Sequence, residues 1–218
     1  MRTVTTSNGR AAPGRPDQPG SAPVDPADRS TASRQAILAA ARRLFSTAGY
    51  AATSVTDIVS EAGTSVGLPY YHFGSKKSIF LTLWNEYQQS QHARTDAAIE
   101  QARQAGQTGA ALMLASIRAY LEGAWANRDI LPMVHGPDRP PGFDETMASG
   151  AVDWHRQMQS LLSPYDRVTM KTAISMISGG LSAVCADLAK CASDLQAKRV
   201  IDDAVVLVSS LLDGLPPR

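Results

Sequence analysis

The chain has 218 residues, 44% of them hydrophobic and 19% charged, enough apolar material for a core and too much for a disordered protein. Lys plus Arg is 21 and Asp plus Glu is 20, so the formal net charge of +1 excludes a uniformly basic coat for nucleic acid, although not a segregated one. Two cysteines, Cys185 and Cys191, exclude a disulfide-dense scaffold and a four-thiolate zinc site, and their spacing is not C-x-x-C. Two reduced structural thiols in a cytoplasmic protein are expected, with no metal, no cofactor and no membrane partner. No run of 18 apolar residues occurs, and the N-terminus lacks the apolar stretch of a signal peptide.

Residues 1–30 carry five prolines and three glycines and no Leu, Ile, Phe, Tyr or Trp. Such a segment buries too little to offset its ordering entropy, so a disordered arm is expected. Helical periodicity starts near Ser30. Ile37, Ala40, Ala41, Leu44 and Phe45 form one apolar face. Gly49 should end that helix in the left-handed conformation, with Tyr50 folding back on its last turn. A second helix is expected over 53–60, opened by the Ser54-x-x-Asp57 capping pattern. Residues 61–64 turn the chain at Gly63. Ser65 is the expected N-cap of a short third helix over 66–72, and Ser75 that of a long fourth one. Later helices are expected over 76–105, 108–125, 128–134, 144–162, 165–190 and 193–212, with no period-two run. The fold class is all-α.

Two helices joined by a short turn containing Gly make a helix-turn-helix, and the third helix has the dimensions of a recognition helix for a major groove. The residues resemble a known family here. Arg34-Gln35-Ala36-Ile37-Leu38-Ala39-Ala40-Ala41-Arg42-Arg43-Leu44-Phe45, Gly49-Tyr50, Thr53-Ser54-Val55-Thr56-Asp57-Ile58, Ala62-Gly63, Ser65, Gly67 and Tyr70-Tyr71-His72-Phe73-Gly74-Ser75-Lys76 look like the DNA-binding domain of tetracycline-repressor (TetR) family regulators. The likeness runs from about Arg34 to Leu83; beyond it only the helical layout matches. It implies an N-terminal three-helix DNA-binding domain (31–78) behind the arm (1–30), and a helical ligand-binding and dimerisation domain (79–218). It implies a homodimeric regulator, usually a repressor, released from double-stranded operator DNA by a small-molecule effector. An activator of the same fold is the alternative.

On that resemblance, Tyr71, His72 and Lys76 match phosphate-clamping positions, and Val66, Gly67, Leu68 and Tyr70 match positions facing base edges. Thr53, Ser54 and Ser65 stand at helix starts, where backbone N–H groups and hydroxyls suit a phosphate. Arg34 is within reach of the backbone. Two features depart from the family's pattern. Pro69 replaces a large side chain and, with Ser65 as cap, should delete a hydrogen bond and loosen the helix start. Val66, Gly67 and Leu68 lack bidentate side chains, so readout should rest on thymine methyls, the Tyr70 hydroxyl and groove shape.

In the remainder, Trp84, Tyr87, Gln91, Ile117, Tyr120, Leu121, Trp125, Met133, Trp154 and Met158 are expected to line a pocket, with His135 and His155 as polar anchors. Met170, Ile174, Ile177, Leu181, Val184 and Leu188 repeat with heptad spacing, as do Ile201, Val205, Val208 and Leu212 on the last helix. Both stripes suit packing within one subunit, and the resemblance favours a dimer seam. Gly63-Thr64-Ser65-Val66-Gly67 also fits G-x-S-x-G, a hydrolase nucleophile elbow, which has meaning only on a strand-to-helix turn. By segment, residues 31–78 carry a formal +3 and residues 79–218 a formal −3, a basic module on a mildly acidic body.

Overall fold

The computed structural model describes residues 26–161 and 167–215. Most of the expected arm, and the 163–164 corner, lie outside the described residues. The described elements are helices: α1 (Pro26–Thr47), α2 (Val55–Ala62), α3 (Gly67–Phe73), α4 (Lys76–Gln104), α5 (Ala110–Ala126), α6 (Leu131–His135), α7 (Phe143–Leu161), α8 (Arg167–Leu188) and α9 (Asp194–Asp213). Helix α1 begins at Pro26, so residues 26–30 belong to a helix and not to the arm. Proline fits a first helical turn, whose N–H groups have no partner inside the helix.

The helix-turn-helix is built by local chemistry. Ser54 accepts from the Asp57 amide while Asp57 accepts from the Ser54 amide, the reciprocal capping box that starts α2. Gly63 ends α2 at φ 63°. Gly49 adopts φ 91°, and a Cβ there would strike the Asp138 carboxylate, so only glycine fits. Ile37, Ala40, Ala41, Phe45, Ile58, Ile79 and Phe80 are buried between α1, α2 and α4. Tyr50 folds back as expected, its ring 5.5 Å from Phe45 and 5.4 Å from Phe80.

Ser65 does not cap α3. Val66 holds the cap position without a side-chain hydrogen bond, and the helix starts at Gly67. Pro69 therefore falls in the first turn, where its missing N–H costs nothing, and it is buried against the domain. The Ser65 carbonyl accepts instead from Leu68 N at 3.1 Å. The expected loosening of the helix start has no cause in this geometry. The G-x-S-x-G pattern follows α2, not a strand, so the elbow reading lacks the context it requires.

Helix α8 is long and apolar enough to cross a membrane by length and composition. In the fold one face of it packs on the body, with Met170, Ala173, Ile174, Ile177, Leu181, Cys185 and Leu188 buried, and the other face stays exposed.

Candidate functional site

Two sites lie along α4, one at its N-terminal end and one against its middle. At its N-terminal end, α3 presents an aromatic edge to solvent. Tyr71 is 80% exposed, Val66 57% and Tyr70 55%. Gly67 is also exposed, and a Cβ there would meet nothing within 4 Å. Leu68 leans into the core. His72 is half-buried and its Nε2 lies 3.0 Å from the Ser33 hydroxyl, which ties α3 to α1. The Ser54 hydroxyl remains at the surface while it serves its cap.

Three expected phosphate contacts have internal work. Thr53 is buried, and its hydroxyl donates to the Gly49 carbonyl at 2.7 Å. The Lys76 ammonium donates to the Tyr50 and Thr53 carbonyls, both at 2.8 Å, and sits 4.2 Å over the Tyr50 ring. It locks the start of α4 to the turn between α1 and α2. Arg34 lies 5.3 Å over the Phe73 ring and 3.6 Å from Glu86.

The second site is a half-open cavity of about 150 Å³ in the body, walled by α4, α5, α6, α7 and α8, with His92 and Ser182 exposed at its rim. Of the expected lining, Trp84, Gln91, Ile117, Tyr120, His135 and Trp154 face it. Tyr87, Leu121, Met133 and Met158 are buried core instead. Trp125 points elsewhere, its indole N–H donating to Asp194 at 3.0 Å. His155 is also outside the lining. Sequence reasoning missed Gln88, His92, Thr95, Val134, Met147, Gly150, Ser178 and Ser182. Leu181, expected in the dimer seam, lines this cavity. Trp84, Gln88, Gln91, His92 and Thr95 recur on one face of α4, a helical stripe that mixes aromatic and polar groups, and that mixture is the signal that marks them.

Burial pushes the Tyr87 phenol well up, and the Tyr120 phenol too. Both are neutral at pH 7, with Gln91 Nε2 donating to the Tyr87 hydroxyl and to the Tyr120 carbonyl. Burial, with the charge of Arg139 added, lowers His135 from 6.5 to about 4. The unfolded chain thus binds a proton there that the folded chain refuses. Stability should rise with pH across that window, from about 4 to 6.5. Chemical denaturation at pH 5 and pH 7 should show a smaller loss on acidification in His135→Phe than in the parent chain.

The two sites share one aromatic column. Trp84 at the cavity meets Phe143 edge-on at 5.2 Å, Phe143 meets Phe80 at 5.0 Å, and Phe80 meets Phe45 of α1 at 5.7 Å. The loop after α6 grips the DNA-binding domain as well. Asp138 accepts from Ala51 N at 2.9 Å, and Lys77 donates to the Pro141 carbonyl at 2.7 Å. Arg42 pairs with Asp129 at 2.6 Å and 2.7 Å.

The expected dimer seam faces inward. Met170, Ile174, Ile177, Leu181, Leu188, Ile201 and Leu212 are buried in the protomer's own core, and Val184, Val205 and Val208 pack partly against it. The outer faces of α8 and α9 carry a different set: Met176 at 61% exposure, Val206 at 62% and Leu207 at 69%. Gly179 and Gly180 lie on the same side of α8 as Met176, with nothing in the protomer within 4 Å of an added Cβ.

Comparison with known proteins agrees with this architecture. The sequence pattern of the bacterial regulatory proteins of the tetR family matches residues 37–83. The transcriptional repressor AcnR of Corynebacterium glutamicum is 42% identical over 59 residues, 27% of this chain and 31% of that protein. The regulator HbdR of Aromatoleum is 49% identical over 53 residues, 24% of this chain and 23% of that protein. The chain thus matches less than a third of the length of these relatives. In overall fold it resembles a TerR/AcrR-family regulator from Aquifex aeolicus, at 18% identity and TM-score 0.66 over 82% of this chain and 99% of that one. It also resembles the fatty acid degradation regulator FadR of Bacillus halodurans, at 18% identity and TM-score 0.64 over 85% and 97%. The capped helix-turn-helix thus carries the sequence pattern of the tetR-family DNA-binding domain over residues 37–83, and the chain as a whole is similar in fold to regulators of that family.

Proposed function

We infer that the protein is a ligand-responsive transcriptional repressor that works in the cytoplasm as a homodimer and leaves a pseudo-palindromic operator when a small molecule enters the cavity. The observation that carries this reading is the aromatic column from Trp84 at the cavity to Phe45 in the DNA-binding domain. A ligand against Trp84 displaces Phe143 and Phe80, and packed cores pass on such shifts because they are rigid. The loop contacts at Ala51 and Lys77 move with α6, which supplies His135 to the cavity wall. Tilting the two recognition helices changes their separation, which must match half-sites one helical turn apart.

The dimer is proposed through the outer faces of α8 and α9. Gly179 and Gly180 let a partner helix approach closely, and Met176, Val206 and Leu207 supply apolar area.

DNA contact is assigned to the exposed edge of α3. Tyr71→Ala should weaken binding about fivefold on every operator sequence, the effect of one lost hydrogen bond to a phosphate. Tyr70→Ala should instead change the preferred bases. Operator selection followed by mobility-shift titration checks both. Unchanged affinity and unchanged preference in the double variant would remove α3 from the interface.

A further inference from the structure

The cavity carries a chemical preference that the likeness to that family does not dictate. None of its lining residues is Asp, Glu, Lys or Arg. Arg139 stands behind the wall, where its guanidinium pairs with Asp144 at 2.9 Å and donates to the Val134 carbonyl at 3.5 Å. A carboxylate or phosphate inside would lose its hydration with no lining cation to replace it. An ammonium would find aromatic faces but no lining carboxylate, and it would sit in the same positive field that His135 feels from Arg139.

Two lining residues hold a buried polar atom without a partner, Gln91 at Oε1, which is turned toward Gly123, and His135 at Nε2. His135 shares Nδ1 with the Ser182 hydroxyl at 3.3 Å, and its Nε2 is buried with no partner. The ring is neutral at pH 7, so Nε2 offers one hydrogen bond, as donor or acceptor according to the tautomer. A hydroxyl serves either tautomer, because it both donates and accepts. The cavity's volume of about 150 Å³ is of the size that admits a benzene ring. Trp84, Tyr120 and Trp154 line it with aromatic surface.

Resting on the regulator reading above, we propose that the effector is an uncharged aromatic molecule with a phenolic hydroxyl, its ring against Trp84 and Trp154 and its hydroxyl on His135 Nε2. The cavity shares His92, Thr95 and Trp154 with a neighbouring recess lined by Asp96, Arg156, Gln157 and Ser160, which leaves room for a polar ring substituent.

The test is calorimetric titration of the full chain at pH 7 with phenol, toluene, benzoate and benzyltrimethylammonium. Phenol should bind about tenfold tighter than toluene, the effect of one buried hydrogen bond, and at least tenfold tighter than either ion. His135→Phe should bring phenol and toluene to equal affinity. The ranking of the four probes on the unaltered chain needs no variant. Benzoate or the ammonium binding as tightly as phenol, or no saturable phenol binding, overturns the proposal. Operator binding measured on the same protein separates the two readings. A chain that holds DNA but prefers an ion defeats the effector class alone, whereas one that binds no DNA defeats the regulator.

Discussion

Leu207→Asp is expected to give a folded monomer that no longer holds a two-half-site operator. Leu207 is 69% exposed in the protomer, so a carboxylate there stays solvated and the fold is untouched. In the proposed dimer the same carboxylate is buried without a partner, a penalty of about 3 kcal/mol, or more than 100-fold in the dimer dissociation constant. Operator affinity should then fall by at least 100-fold, because the second half-site no longer binds as part of one molecule. Sedimentation velocity and mobility shift read the two effects separately. Ile177→Ala should do the opposite. Ile177 is 3% exposed within the protomer, so the truncation should cost about 2–4 kcal/mol of stability and leave association intact at low temperature. A dimeric Leu207→Asp would place the interface elsewhere.

Lys76→Met is expected to lower stability by about 2–4 kcal/mol. The substitution keeps the apolar stem and removes the ammonium from the Tyr50 and Thr53 carbonyls and from the Tyr50 ring. Hydrogen bonds from a charged donor contribute about 1.5–3 kcal/mol each, and part of the loss is recovered by water at this half-buried site. The resemblance alone would have Lys76 clamp a phosphate, and its loss would then flatten the salt dependence of binding without lowering the melting temperature. Thermal denaturation in the absence of DNA distinguishes the two. An unchanged melting temperature with a flattened salt slope would return Lys76 to the DNA.

What the sequence made legible was local. The Ser54–Asp57 capping box, the left-handed Gly49, the break at Gly63 and the Ser75 cap depend on neighbours within four residues, and the structure has each of them. Helix ends came within a few residues for the same reason. Ser65 failed as a cap because Val66 and Gly67 also suit a helix start, and the burial of Pro69 decides between them. The α8 stripe was visible at heptad spacing, but periodicity names a buried face and not the body that buries it. A helix lays its most apolar stripe on its own core, so Met176 and Leu207 were left exposed. Pocket residues such as Ser178 and Ser182 gave no signal alone, because serines on a helix are usually solvated. Only the approach of α6 and α7 to α8 turns them into a wall.

The basic count of the DNA-binding domain acquires a different meaning once its partners are known. Arg34, Arg42, Arg43, Lys76 and Lys77 each face a carboxylate, a carbonyl or an aromatic ring of the protein itself. Among the described residues of this domain few cations are then left to displace counterions from a duplex, and its contribution to the logarithmic slope of affinity against salt should be shallow. A cell that takes up potassium under osmotic stress strips most DNA-binding proteins of affinity. On the repressor reading, this one should keep its operator through such a change.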